Sequence, residues 1–309
     1  MPAAAGERVS RATLPGMPTV AVLTAKPDLP VHRELQAAGE ACGVQVEILD
    51  ALAVAALDAP PRLWRAGRPV AAAGIGAVLP RVGNWRPDAV LAVLAVLRAS
   101  GVAALNEPAA IRTGRDHWRT ACALAAAGVP HPATVAGSEP EVLAAAAAAA
   151  FGFPVVVKQR SSRRGIGVIR CASAAELEAV LDSLWRVGDE VVVQRFCPPG
   201  GVSRRVLVLD GEVLGAAEHR APEGEFRANA ARGAAVRGVA ADGETTGLAV
   251  CAARATGLAF AGVDLIPDGG RWVVGEVNPS PGWTHFAAAT GAPVAARVVA
   301  ALARRSGDR

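Results

Sequence analysis

The chain has 309 residues, of which 52% are hydrophobic, and its formal net charge is +4. This length predicts two or three fused subdomains rather than one ordinary domain. The longest apolar stretches, residues 89–97 and 143–151, are shorter than the roughly 18 residues that span a bilayer, which argues against a membrane protein. The first 18 residues contain Pro and Arg and have no apolar segment ahead of a cleavage site, so we expect no secretion signal.

The distribution of charge and the cysteine content argue against further classes of protein. The basic residues are spread along the chain without the dense clusters of a nucleic-acid groove, so no direct nucleic-acid partner is expected. The five cysteines are odd in number and contain no CxxC pair. They are typical of reduced thiols in a cytoplasmic protein rather than of disulfides or a zinc site.

The first third of the chain alternates short apolar strands with helices. This pattern predicts a parallel sheet covered on both faces. No G-x-G-x-x-G follows the first strand, so a dinucleotide site has no support. The predicted strands are residues 19–24, 44–49, 63–70, 77–82 and 102–105, and the predicted helices are 31–42 and 87–99.

The remaining two thirds mix helices with hairpins. A helix is predicted over residues 107–127, and a long loop over 221–233. The other predicted helices are 139–150, 174–186, 245–256 and 293–304, and the predicted strands are 133–136, 154–158, 190–195, 204–209 and 212–219. The fold class is therefore α/β, in part α+β.

The segment 264–282, DLIPDGGRWVVGEVNPSPG, predicts a hairpin that turns at Gly269 and Gly270. Asp264 should lie across the ladder from Glu276, within about one residue, and Asn278 should share the face of Glu276. Two carboxylates and an amide suit a hard cation such as Mg2+, with Mn2+ as an alternative. The competing interpretation is an exposed hairpin edge with solvated acids.

A lysine and a glycine loop precede this hairpin. Lysine occurs only at Lys26 and Lys158, so 30 of the 32 basic residues are arginine. Lys158 ends an apolar run and is followed by Gly165 and Gly167, whose backbone N–H groups could approach an anion. The competing interpretation of Lys158 is a strand-end lysine whose ammonium reaches solvent. Together with the acidic hairpin, the lysine and loop predict a Mg-nucleotide site.

These motifs, in this order, resemble the ATP-grasp fold and, more narrowly, RimK-type amino-acid ligases. The resemblance covers most of the chain. It is carried by Lys158 with the glycine loop, QRF (194–196), EGEFRANAARG (223–233), AGVD (261–264) and EVNPSPG (276–282), and by VEILD (46–50), VLPRVG (78–83) and LNEPAAIRTGRDHWRT (105–120).

The resemblance implies a mechanism in which a carboxylate takes the γ-phosphate of ATP and an amine then attacks the acyl phosphate. It implies that Lys158 contacts the phosphates and that Asp264, Glu276 and Asn278 hold Mg2+. It also implies that Arg227, Ala228 and Asn229 form a catalytic segment that faces nucleotide and substrate. Arg195 and Phe196 would form the hinge that reads adenine, and Ser203 would contact the ribose.

Most positions at which this sequence departs from the family pattern are positions that the resemblance places in contact with the ligand. His117 stands where relatives carry a second ATP-binding lysine, Arg195 where they carry a hinge glutamate, and Ser203 where they carry a ribose-contacting acid. His219 replaces an arginine expected to meet substrate. The glycine loop also carries Arg163 and Arg164.

Two hypotheses follow. The first is an ATP-dependent carboxylate–amine ligase that adds glutamate or a related amino acid to a protein C-terminus, a carrier protein or a cofactor tail. The second is a nucleotide-binding protein of the same fold with lost or altered catalysis that acts as a partner or regulator.

We expect an N-terminal α/β domain at 18–112, a central lobe at 113–189 and a C-terminal lobe at 190–305. The sequence leaves a monomer and a homo-oligomer both open.

Overall fold

A computed structural model describes residues 17–70, 74–161, 167–229 and 233–307. Its first sheet is parallel, with strand order β2-β1-β6-β7. All six residues of β1 are buried, as expected for a strand covered on both faces. The strands are β1 (Thr19–Thr24), β2 (Gln45–Asp50), β6 (Ile75–Arg81) and β7 (Ala103–Ala104), and the neighbouring helices are α1 (Pro30–Cys42) and α2 (Pro87–Ala99).

Alternate residues of β1 pack into two different cores. Val20 and Val22 join the core that includes the C-terminal helix α9 (Val294–Gly307), whereas Ala21 and Leu23 join the core of α2. The chain therefore closes by returning its last helix to its first sheet. The predicted parallel sheet with helices on both faces is confirmed.

The predicted strand at 63–70 is wrong in detail. It is divided by a tight turn at Ala66 and Gly67, both of which have positive φ. This turn joins β4 to β5 in a small antiparallel sheet, β3-β4-β5, because both turn residues adopt the left-handed geometry that a two-residue hairpin needs. Its strands are β3 (Ala55–Leu57), β4 (Arg62–Arg65) and β5 (Arg68–Val70).

The predicted helix over 107–127 is two helices. α3 (Pro108–Arg115) ends at Asp116, and α4 (His117–Ala126) begins after it. The carboxylate of Asp116 accepts hydrogen bonds from the backbone N–H groups of Trp118 and Arg119, which satisfies the start of α4. The helical pattern continues across the break, so the cap residue rather than the pattern determines where α4 begins.

The central sheet is antiparallel, with order β10-β9-β11-β8, and two helices cover one of its faces. Val155, Val157 and Val193 point toward those helices and are completely buried. The intervening residues point to the opposite face, where the site described below lies. The elements are β8 (Thr134–Ala136), α5 (Pro140–Phe151), β9 (Val155–Gln159), β10 (Val168–Cys171), α6 (Ala174–Arg186) and β11 (Val191–Arg195).

The C-terminal sheet is also antiparallel, with order β14-β13-β12-β15-β16. One of its strands, β14, follows the loop that the sequence analysis extended to residue 233. The elements are β12 (Val202–Leu209), β13 (Glu212–Arg220), β14 (Ala235–Val239), α7 (Gly243–Ala255), β15 (Phe260–Asp268), β16 (Arg271–Asn278) and α8 (Thr284–Thr290).

Within the described part of the chain, no single helix has the length and apolarity to cross a membrane. One bent pair, α8 with α9, meets those criteria when its two helices are taken together.

Candidate nucleotide and metal site

A cavity of about 160 Å³ lies between the central and C-terminal sheets. It brings together most of the side chains singled out in the sequence: His117, Lys158, Arg195, Phe196, Ser203, Arg227, Ala228, Asn229, Asp264 and Glu276. Gly167 and Asn278 do not line it, and Gly165 lies outside the described residues. Gly167 instead packs against the side chain of Gln159, in a positive-φ conformation.

Lys158 is held at the centre of the central sheet, opposite Val168 of β10 and Val192 of β11. Its ammonium donates to Gln194 Oε1 at 2.7 Å and to the carbonyl oxygen of Gly275 at 3.5 Å. Burial lowers the pKa of Lys158, and the carboxylate of Glu276 is the main influence in the opposite direction. Among the described residues its hydrogen-bond partners are neutral, so its charge remains available to an anion in the cavity.

The hairpin turns as predicted, with Gly269 and Gly270 both at positive φ. Asp264 lies directly opposite Glu276 in the ladder, which confirms the expected register. The next pair is Leu265 with Val274, so Gly275 is an extra residue in β16. Because a bulge re-aims the residues on its strand, Gly275 and Glu276 both line the cavity. The sequence pattern does not reveal this bulge.

Asn278 lies two residues beyond Glu276, opposite Gly262. Its Oδ1 accepts a hydrogen bond from the backbone N–H of Ser280 at 2.9 Å. The structure therefore brings the two carboxylates together on the cavity, while the amide shapes the loop that follows the strand.

Asp264 has a partner that the sequence analysis missed. Arg205 Nε and Nη2 donate to its two carboxylate oxygens at 2.7 and 2.5 Å, and both side chains are about one-sixth exposed. Burial opposes the charge of Arg205, but the carboxylate of Asp264 prevails and raises its pKa. Period-two alternation along β12 places Arg205 on the same face as Ser203, which is the signal that could have identified it.

A divalent cation is compatible with this donor set only in part. Among the described residues, no group of three His, Cys, Asp or Glu side chains is placed to hold a metal ion. Asp264 and Glu276 supply hard oxygen donors on adjacent strands, as Mg2+ requires when substrate phosphates complete its coordination. Any cation at Asp264 would share that carboxylate with Arg205.

Two phenylalanines form an apolar wall near the hinge. The rings of Phe196 and Phe226 meet edge to face, with centroids 6.2 Å apart, and Arg170 lies over Phe196 at 4.9 Å. Arg195 is bound to both carboxylate oxygens of Asp268, at 3.1 and 2.5 Å. Burial raises the pKa of the adjacent Cys197 thiol to about 11, which disfavours the nucleophilic thiolate at neutral pH.

The loop before β14, which includes Phe226, covers one side of the cavity. Arg227 donates to both carboxylate oxygens of Glu225, at 2.8 and 2.7 Å, and reaches the carbonyl oxygen of Val168 at 3.3 Å. The Ser203 hydroxyl donates to the carbonyl oxygen of Ala228 at 3.1 Å. These contacts fasten the loop to β10 and β12, so it closes one side of the cavity.

His117 and His219 occupy different environments. His117 lines the cavity at the start of α4, and its backbone N–H donates to the carbonyl oxygen of Arg160 at 2.9 Å. His219 is buried beside Ser203, and burial lowers its pKa. Its position favours a neutral imidazole where a charged arginine was expected.

Comparison with known proteins identifies the family. Residues 19–111 match the RimK PreATP-grasp domain, and residues 114–302 match the RimK-like ATP-grasp domain. The chain is 33% identical over 283 residues to a probable alpha-L-glutamate ligase of Thioalkalivibrio sulfidiphilus (strain HL-EbGR7), covering 91% of this chain and 93% of that protein. It is 32% identical to a protein of the same name from Stutzerimonas stutzeri (strain A1501), covering 93% and 96%.

Solved structures share the fold. The ATP-grasp ligase PsnB, complexed with a minimal precursor, superimposes with a TM-score of 0.70 at 21% identity, covering 94% of this chain and 99% of that chain. The D-cycloserine synthetase DcsG gives 0.70 at 22%, covering 93% and 99%. The chain belongs to the RimK-type family of ATP-grasp proteins, and it is an ATP-dependent ligase that forms amide bonds.

Proposed function

We propose that this ligase adds glutamate or a closely related amino acid to an acceptor carboxylate through an acyl phosphate. The observation that carries the proposal is the convergence of Lys158, Asp264 and Glu276 on one cavity. The curated relatives named probable alpha-L-glutamate ligase support glutamate as the amino acid.

In this mechanism the chain acts by position and charge. Lys158 would bind the phosphates of ATP, while Asp264 and Glu276 would hold Mg2+, for which Mn2+ could substitute. Asn278 would complete this ligand set only by exchanging its contact with the Ser280 N–H for the cation. When bound, the cation neutralises charge on the phosphate oxygens. Phosphoryl transfer needs no nucleophile from the protein, which suits a cavity whose described lining residues offer ammonium, carboxylate and amide groups.

The remaining lining residues are proposed to position the substrates. Phe196 and Phe226 flank the adenine, with Arg195 in the hinge. Ser203 lies at the ribose, and His117 lies near the phosphates. Arg227, Ala228 and Asn229 face the reacting groups. For this role Arg227 must exchange its contact with Glu225 for the ligand. The family resemblance assigns Gly165 and Gly167 to the phosphate-binding loop, although Gly167 does not line the cavity and Gly165 lies outside the described residues.

The acceptor carboxylate is proposed to belong to a protein C-terminus, a carrier protein or a cofactor tail. Structural neighbours include PsnB in complex with the precursor peptide PsnA2. A peptide acceptor is therefore compatible with a chain of this fold.

The competing proposal is a nucleotide-binding protein of altered catalysis. It is favoured by the engagement of Asp264 with Arg205 and of Arg227 with Glu225, since each ion pair occupies a group the ligase would use. Here ATP would bind without turnover.

The experiment that separates the two proposals measures ADP release by purified protein with Mg-ATP, glutamate and a panel of candidate acceptors. The ligase proposal expects ADP release that requires both glutamate and an acceptor and is absent in Glu276→Gln. Tight Mg-ATP binding without ADP release from any acceptor would support the competing proposal.

A further inference from the structure

A second cavity, of about 470 Å³, lies on the helix-covered side of the central sheet. We call it the outer pocket. The nucleotide cavity uses the opposite face of that sheet, where Val156 and Lys158 point. The outer pocket is lined by Trp118, Ala136, Gly137, Ser138, Pro140, Leu143, Arg160, Leu181, Trp185, Gly188, Asp189, Glu190 and Val191. Its volume lies within the range of small-molecule and side-chain binding sites.

The walls of the outer pocket combine apolar and aromatic surface. Leu143 and Leu181 are almost completely buried beneath it. Trp185 is half exposed, at 50%, although an indole is among the largest apolar groups a protein can bury. Trp118 contributes a second indole. Such a surface suits an apolar or cationic group that stacks on an indole.

The charge of the outer pocket is negative in a chain whose net charge is +4. Its charged lining residues are Asp189, Glu190 and Arg160. The guanidinium of Arg160 is already bound by Asp116 at 2.5 Å and by Glu190 at 2.9 Å. Arg119 also lies 3.7 Å from Asp116. Among the described residues, the carboxylates of Asp116, Asp189 and Glu190 therefore outnumber the guanidinium groups of Arg119 and Arg160, which leaves a net negative rim that favours a positively charged ligand.

The outer pocket is adjacent to the nucleotide cavity through the first turn of α4. His117 lines the nucleotide cavity, and the next residue, Trp118, lines the outer pocket. The backbone carbonyl of Arg160 accepts from His117 N–H at 2.9 Å. A peptide held in the outer pocket is thus anchored close to the reaction site.

We propose that the outer pocket binds a basic peptide segment, with an arginine or lysine against Trp185 and the Asp189–Glu190 rim and with an apolar neighbour over Leu143 and Leu181. The chemistry of the outer pocket supports the binding of such a segment whether or not the segment belongs to the acceptor. The further statement that the segment belongs to the acceptor rests on the proposed ligase function.

The test measures binding of two synthetic peptides, acetyl-Ala-Leu-Arg-Leu-Ala-amide and its glutamate counterpart, in the absence of ATP. The arginine peptide should bind, and the glutamate peptide should not. Trp185→Ala should weaken binding of the arginine peptide roughly fivefold to tenfold. Trp85→Ala removes an indole of similar exposure, 54%, from the first domain and should leave binding unchanged.

Equal affinity for the two peptides, or unchanged binding in Trp185→Ala, would overturn the proposal. A longer peptide that carries the same segment and a free C-terminal carboxylate then addresses turnover. For that peptide, Trp185→Ala should raise KM and leave kcat unchanged. Binding without turnover would count against the ligase function and not against the pocket, so the two failures are distinguishable.

Discussion

The two walls of the nucleotide cavity differ in how their charges are compensated. On the central-sheet wall, the Lys158 ammonium contacts an amide and a backbone carbonyl. On the C-terminal wall, Asp264 is bound by Arg205. The central wall therefore offers an anion an available charge, whereas a cation at Asp264 must share a carboxylate that is already paired.

This difference between the walls predicts which side chains should contribute most to the free energy of ligand binding. Phosphate binding at Lys158 requires only that the ligand share or replace hydrogen bonds to neutral groups. Cation binding at Asp264 requires Arg205 to share its partner, so Asp264 should contribute less to cation binding than an unpaired carboxylate would. Four changes test this account, beginning with the largest expected effect.

Removing the charge of Glu276 should have the largest effect. Glu276→Gln should reduce turnover by more than about 100-fold and weaken Mg-ATP binding, because the cation loses an anionic oxygen. Initial-rate ADP release and calorimetry measure the two effects. The matched control is Glu212→Gln, which alters an exposed carboxylate of the same sheet outside the cavity. Equal Mg-ATP affinity in Glu276→Gln and wild type would remove Glu276 from the metal site.

The chain provides a natural control for Lys158, because its only other lysine is Lys26. Lys158→Met should weaken ATP binding roughly 10- to 150-fold, the loss of about 1.5–3 kcal/mol expected for one charged hydrogen bond. The thermal midpoint of the unliganded protein should change little, because the methionine side chain preserves the packing of the stem. Lys26→Met should leave ATP affinity unchanged. A large loss of thermal stability with unaltered ATP affinity would identify Lys158 as a structural residue.

Arg205→Lys tests the ion pair between Arg205 and Asp264 on the C-terminal wall. The substitution keeps a positive charge but replaces two charged hydrogen bonds to Asp264 with one, so the free energy of unfolding should fall by about 1.5 kcal/mol. Urea unfolding monitored by tryptophan fluorescence measures the change. Arg297→Lys alters a solvent-exposed pair with Glu212 and should cost less than about 0.5 kcal/mol. Equal losses in the two variants would show that the Arg205–Asp264 pair is no stronger than a surface contact.

The smallest effect concerns Asp116, which caps α4. Burial opposes its charge, but hydrogen bonds from Arg160 and from the backbone N–H groups of α4 lower its pKa below the usual value. A lowered pKa stabilises the fold above the unfolded-state value, and this contribution is lost as pH falls through the folded-state value. Unfolding free energy should therefore fall more steeply in wild type than in Asp116→Asn as pH falls below the unfolded-state value of about 3.9. Asp182→Asn, at an exposed position, should keep the wild-type profile, and identical slopes in all three proteins would contradict the assignment.

The sequence predicts local features better than contacts between distant elements. The apolar run of β1 and the glycine turn of the hairpin are encoded within a few residues, and both are confirmed. The break at Asp116 is different, because its cap is reinforced by Arg160, which is 44 residues away in the chain. The pairing of Arg205 with Asp264, 59 residues apart, likewise depends on strand order.

The family resemblance identifies the cavity-lining residues more completely than geometric reasoning from the sequence. It could not show that Gly275 is a bulge or that Asn278 turns toward Ser280, because a register shift depends on how two strands pair. The outer pocket had no signal in the sequence. Its walls come from α4, α5, α6 and the loops around β8 and β11, which no single motif joins.

The account's central claim is that the two walls bind the same Mg-nucleotide. A double-mutant cycle on Mg-ATP affinity, with Lys158→Met, Glu276→Gln and the double variant measured by calorimetry, tests it most directly. Groups that meet one ligand should be coupled, so the loss of binding free energy in the double variant should differ from the sum of the single losses by at least about 0.5 kcal/mol. Additive losses would contradict the claim and separate the lysine from the acidic hairpin.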